Sequence, residues 1–169
     1  MLRRIVLAWL LISGSAVKAE WLHTSEDDAF TGTKHIALVA DDDTGYSAGF
    51  SCTTLADIVL VFITPERLDL SSAKMLHSLP TSLLVIVDDQ EKLSFRPKAD
   101  LVPGTEQLRF VYEGPGLLQL VRTVTDAKRR FALAVEIHGK IVHSKTFSAD
   151  GSTSALTAFG KGCGLLTKP

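Results

Sequence analysis

The sequence predicts a mainly β chain, a β-rich α+β fold in which antiparallel sheets pack as a sandwich with two short helices and one disulfide. Three observations predict it. Apolar runs of strand length recur at Asp57–Thr64, Leu83–Val87 and Phe131–Ile137, rich in β-branched residues that suit a pleated surface. Acidic, glycine or proline punctuation separates the runs, as at Asp41-Asp42-Asp43-Thr44-Gly45, Asp88-Asp89-Gln90-Glu91 and Gly139-Lys140. Two stretches carry apolar residues at helical spacing, Pro115–Thr125 and Ser152–Cys163.

Residues 1–19 read as an export leader and are set aside from the fold. Arg3 and Arg4 precede the apolar segment Ile5–Ile12, and Val17-Lys18-Ala19 places small residues at the −3 and −1 positions of a cleavage site before Glu20. That segment is too short to span a bilayer, which takes about 20 residues. The remaining chain, residues 20–169, has the length of one domain with a sizeable core. Loss of Arg3, Arg4 and Lys18 moves the formal charge from −1 to about −4. A weakly acidic chain lacks the basic footprint of a nucleic-acid binder. No later stretch is long enough for a membrane span, and a periplasmic address is expected.

From the mature start, Trp21 is expected to pack on the first sheet and Ser25-Glu26-Asp27-Asp28 to form a polar turn. Lys34–Ala40, Tyr46–Thr53 and Ala56–Thr64 read as strands, the last ended by Pro65. Leu68–Leu79 reads either as a short helix or as an irregular connection. Leu83–Val87 and Lys92–Arg96 read as a strand pair, Pro97 to Pro103-Gly104 as a loop, and Gln107–Tyr112 as a strand. Pro115 suits the first position of a helix, in which Leu117, Leu118, Leu120, Val121 and Val124 recur. Phe131–Ile137 and Ile141–Phe147 form a hairpin around Gly139-Lys140, with glycine first in the turn. Ser152 or Thr153 caps a final helix whose Leu156, Phe159 and Cys163 share one face.

Cys52 and Cys163 are the only cysteines. In an exported chain they favour one disulfide, the alternative being two buried free thiols. A bridge between them closes a loop of about 110 residues, for which chain-entropy models give roughly 4–5 kcal/mol. Their spacing excludes a CxxC redox pair, and two cysteines exclude a cysteine-rich zinc site.

Four patterns bear on chemistry. Gly45-Tyr46-Ser47-Ala48-Gly49 matches the G-x-S-x-G nucleophile elbow, with His138 and His143 downstream as formal candidates for the base. The elbow needs a strand-to-helix turn, and Phe50-Ser51-Cys52 continues as strand, so a hairpin strand is the preferred reading. Asp41–Gly45 resembles the start of a calcium loop, but Cys52 stands at position 12, where a bidentate glutamate belongs. The histidines show no metal-ligand spacing. Lys128-Arg129-Arg130 follows the helix end at Val124-Thr125, where cations complement the dipole, and it is the candidate contact for an acidic partner. No catalytic residue, cofactor or metal is assigned from these patterns.

The mature chain carries, in order, Trp21 followed by an acidic stretch, a strand at Thr33–Ala40, Phe50-Ser51-Cys52 and Asp57-Ile58-Val59-Leu60. A strand pair and an apolar helical stretch come next, and Phe147-Ser148, Gly151, Ala155-Leu156 and Cys163 close the chain. This order resembles the periplasmic accessory proteins of type VI secretion, the VasI/TagO type, and more loosely the invasion-associated periplasmic proteins. Members of the first group carry a tryptophan-rich segment before the mid-chain helix, where this chain has Phe95 and Arg96. The resemblance implies a Cys52–Cys163 bridge, a periplasmic address, no catalytic residues and an accessory, protein-binding role in the cell envelope. The alternative expectation is a periplasmic inhibitor of an envelope or cell-wall enzyme.

Overall fold

The computed structural model describes residues 20–27, 34–41, 43–53 and 57–165; the expected leader at 1–19 lies outside the described residues. Among the described residues the fold comprises two antiparallel sheets and three helices. The larger sheet holds β1 (Glu20–Asp27), β2 (Lys34–Asp41), β3 (Ser47–Cys52), β4 (Val59–Arg67), β7 (Lys98–Leu101) and β8 (Gln107–Glu113), in the order β1-β2-β3-β4-β8-β7. The smaller holds β5 (Thr81–Val87), β6 (Leu93–Phe95), β9 (Arg130–Ile137) and β10 (Lys140–Ser148), in the order β10-β9-β5-β6. The helices are α1 (Leu70–Ser78), α2 (Leu117–Thr125) and α3 (Ser152–Gly162).

Alternation along the strands decides which face is buried. In β4, Leu60 and Phe62 are buried while Val59, Val61 and Ile63 are half-buried; in β8, Leu108 and Phe110 repeat the pattern and Phe110 pairs with Phe62. In the smaller sheet, Leu83, Val85 and Val87 of β5 meet Val135, Leu133 and Phe131 of β9 on the inner face. Burial of each such side chain contributes about 1.5–3 kcal/mol. Trp21, Phe50 and Phe131 join the two sheets, with the rings of Trp21 and Phe50 at 5.9 and 6.1 Å from that of Phe131. The Trp21 indole N–H also donates to the Ser148 carbonyl of β10 at 2.6 Å.

The expectation of two short helices is overturned, because α1 is a third regular helix. Asp69 caps it, its carboxylate accepting the Ser72 N–H at 2.8 Å together with the Ser71 and Ser72 hydroxyls. Ala73 is its one fully buried residue, while Leu70 and Met75 are exposed, so no apolar stripe marks it in the sequence. Further boundaries also shift. Ser25 to Asp27 belong to β1 rather than to a turn. Pro65 lies inside β4, tolerated because pairing with β8 is irregular between Ile63 and Arg67. Lys98–Leu101, expected as loop, pairs with β8 as an edge strand. The hairpin turn is His138-Gly139, both at positive φ as a type I′ turn requires, so glycine stands second. Gly116 and Gly151, in the left-handed region, occupy the N-cap positions of α2 and α3, displacing Pro115 and Ser152 or Thr153 from the expected helix starts.

Cys52 and Cys163 form the disulfide, with Cα atoms 6.1 Å apart and both residues buried. It ties β3 to the C-terminal end of α3, and two residues earlier on the same face of β3 the Phe50 ring lies 6.3 Å from Phe159 of α3. Replacing both cysteines by alanine is expected to lower unfolding stability by about 2–5 kcal/mol, measured in urea beside the wild type. An unchanged midpoint would show that aromatic packing alone holds α3.

Candidate functional site

The serine of the elbow-like motif opens β3, and its hydroxyl donates to Asp41 Oδ1 at 2.8 Å. Its neighbour Tyr46 stacks on the buried Phe62 ring at 5.8 Å and lies 3.5 Å from His143 Nδ1. Adjacent strand residues face opposite ways, so Ser47 points away from that imidazole. β3 runs on as strand, and the elbow geometry is not formed. His143 is half-buried between Tyr46 and Phe110, whereas His138 is exposed in the hairpin turn. Among the described residues no three His, Cys, Asp or Glu side chains converge on a metal-sized site.

The Lys128-Arg129-Arg130 run is engaged through its backbone. Asp88, at φ 50 in the turn after β5, accepts the Lys128 N–H and Arg129 N–H at 2.8 Å and the Arg130 N–H at 2.9 Å. Its own carbonyl accepts Arg130 Nε at 3.0 Å. The guanidinium groups of Arg129 and Arg130 both pair with Asp89, the latter at 3.7 Å. The acidic turn and the basic run form one local clamp that closes the start of β9 onto the end of β5. Amide hydrogen bonds, that from Lys128 first, hold the Asp88 carboxyl below its ordinary value of 3.8.

The outer face of the smaller sheet offers more room. Its register sets Ser144, Ala134, Leu84 and Ser94 in one cross-strand row and Thr146, Ala132 and Ile86 in the next. Small side chains on β9 and β10 leave a trough of about 500 Å³ walled by Leu84, Ile86 and Ile141, with Lys92 and Glu136 at its margins. Ile141 and Val142 are 60% and 49% exposed on edge strand β10, where a bulge between Ile141 and His143 interrupts the pairing. Next to the trough, Ser82, Ser94, Phe95, Arg96, Glu136 and His138 line a second cavity of about 470 Å³. Neither the trough nor this cavity was picked out from the sequence. The available signal was the alternation Phe131-Ala132-Leu133-Ala134-Val135-Glu136, which sets bulky residues inward and small or charged ones outward.

Comparison with protein-family models, with curated proteins and with solved structures finds no match to this chain.

Two outcomes check this geometry. Asp88→Asn keeps a side chain that tolerates positive φ but removes acceptor capacity, so the urea midpoint at neutral pH should fall. A depressed carboxyl pKa contributes stability above its unfolded value and loses it as pH falls through the folded value. The gap between Asp88→Asn and wild type should therefore close on acidification. The second outcome concerns His143, whose pKa is pushed below 6.5 by burial, partly offset by the Glu66 charge. Its neutral form is favoured by folding, so its contribution is full above 6.5 and is lost as pH drops through the lowered folded value. Between about pH 7 and pH 5.5, wild type should lose more stability than His143→Gln. Parallel stability–pH curves would exclude His143 as an acid-sensitive contact.

Proposed function

We propose that the chain is a non-catalytic, protein-binding accessory module of the cell envelope, and that a segment of its partner lies in the outer trough of the smaller sheet. The observation that carries this reading is the trough itself, a small-residue floor at Ala132 and Ala134 beside the exposed Ile141 and Val142 of an edge strand. An extended segment has both side-chain space and an unpaired strand edge to use there. The Cys52–Cys163 bridge supports an oxidising compartment outside the cytoplasm. The resemblance of the sequence order to accessory proteins of type VI secretion makes a secretion apparatus the setting to test first. No helix among the described residues is long and apolar enough to cross a membrane.

The test is affinity capture from an envelope fraction with wild type, with Ala134→Arg, and with Lys128, Arg129 and Arg130 all replaced by alanine. Ala134 sits on the outer face, so the arginine fills the trough without entering the core. The expected outcome is a stoichiometric partner retained by the triple variant and lost by Ala134→Arg, with both variants unfolding near the wild-type midpoint. Capture that survives Ala134→Arg and fails in the triple variant would move the interface to the basic run.

A further inference from the structure

We propose that the cavity beside the trough binds a small zwitterion, a molecule with one ammonium and one carboxylate group, held between Glu136 and Arg96. The placement follows from register. Ser82 of β5 pairs with Glu136 of β9, and Leu83 pairs with Phe95 of β6. Arg96, the next residue after Phe95, therefore comes alongside Ser82 from the other side. The two charged residues flank Ser82 across two strand spacings, roughly 10 Å between their backbones, and their side chains line the same cavity.

The two charges are not spent on each other. Among the described residues the carboxylate–guanidinium pairs are Arg109–Asp100, Arg129–Asp89 and Arg130–Asp89, and neither Glu136 nor Arg96 belongs to any of them. The rest of the wall suits a small polar molecule. Ser82 and Ser94 bring hydroxyls on the same face of the sheet as Glu136. His138 closes the end, its turn tied down by its N–H to the Pro80 carbonyl at 3.2 Å. A simple anion at Arg96 meets the Glu136 carboxylate, and a simple cation at Glu136 meets the Arg96 guanidinium. A molecule bearing both charges complements both walls at once.

This ligand differs from the partner segment of the trough, with which the cavity shares only Glu136. The probe is dialanine, the smallest peptide with two free ends, beside N-acetyl-dialanine and dialanine amide, which lack the ammonium and the carboxylate respectively. Titration into the isotope-labelled protein, followed by amide chemical shifts, is expected to move Ser82, Glu136 and Gly139 saturably. Acetylation and amidation should each weaken binding by about tenfold. Glu136→Gln should abolish the penalty of acetylation, and Arg96→Gln that of amidation. The titration reads the cavity and the affinity capture reads the trough, so this reading and the trough reading fail separately. Equal affinity for all three probes, or no saturable shift at these residues up to about 50 mM dialanine, overturns the proposal.

Discussion

The burial of Phe131 between the two sheets is the contact on which the rest of the fold depends. From the inner face of the smaller sheet it meets Trp21 of β1, Phe50 of β3 and Phe147 of β10, with ring centroids 5.9, 6.1 and 6.5 Å away. Phe50 carries the cluster to Phe159 of α3. Each buried phenylalanine contributes about 1.5–3 kcal/mol, and favourable ring pairs add about 0.5–1.5 kcal/mol. Taken together these terms exceed the 2–5 kcal/mol typical of one native disulfide. The two act on different states. Aromatic packing stabilises the folded sandwich, while the Cys52–Cys163 link chiefly restricts the unfolded chain. The crosslink and the Phe50–Phe159 contact join the same two elements, β3 and α3.

How much of the fold was legible follows from the same contrast. Strands with one fully buried face, β5 and β9 above all, announce themselves as apolar runs. α2 is equally plain, since Leu117, Leu120, Val121 and Val124 recur on one buried side. α1 is not, because it buries only Ala73 and owes its start to Asp69 capping Ser72, a signal confined to one turn. β7 was hidden between Pro97 and Pro103: as an edge strand it needs only one partner, and a four-residue strand carries too little pattern to stand out from a loop. The helix starts at Gly116 and Gly151 were missed because proline and serine are the commoner residues there, and a left-handed glycine does the same positional work.

The candidate sites were less legible, for a different reason. Lys128, Arg129 and Arg130 look in sequence like three free cations. Their order in space is set by Asp88, some forty residues away, which accepts their amide N–H groups and, at its own carbonyl, Arg130 Nε. Nothing local in the sequence signals a contact between a turn carboxylate and distant backbone. The Glu136–Ser82–Arg96 row is likewise a product of pairing. β9 contributes Glu136 and β5 contributes Ser82, Arg96 directly follows β6, and only the register of β9 on β5 and β6 on β5 brings them together.

The two faces of the smaller sheet therefore obey different constraints. On the inner face, Phe131, Leu133 and Val135 are almost completely buried, and any change of volume there is felt throughout the core. On the outer face, Ala132, Ala134 and Glu136 alternate with them on the same strand and remain partly accessible. Packing constrains them less than it constrains the inner residues. Small residues at Ala132 and Ala134 floor the trough, and Glu136 and Arg96 line the neighbouring cavity without pairing with each other. Strand pairing fixes the backbone beneath Ser82 and Glu136, so their spacing is set by the fold itself. The inner face supplies the rigidity that the proposed recognition surface on the outer face requires.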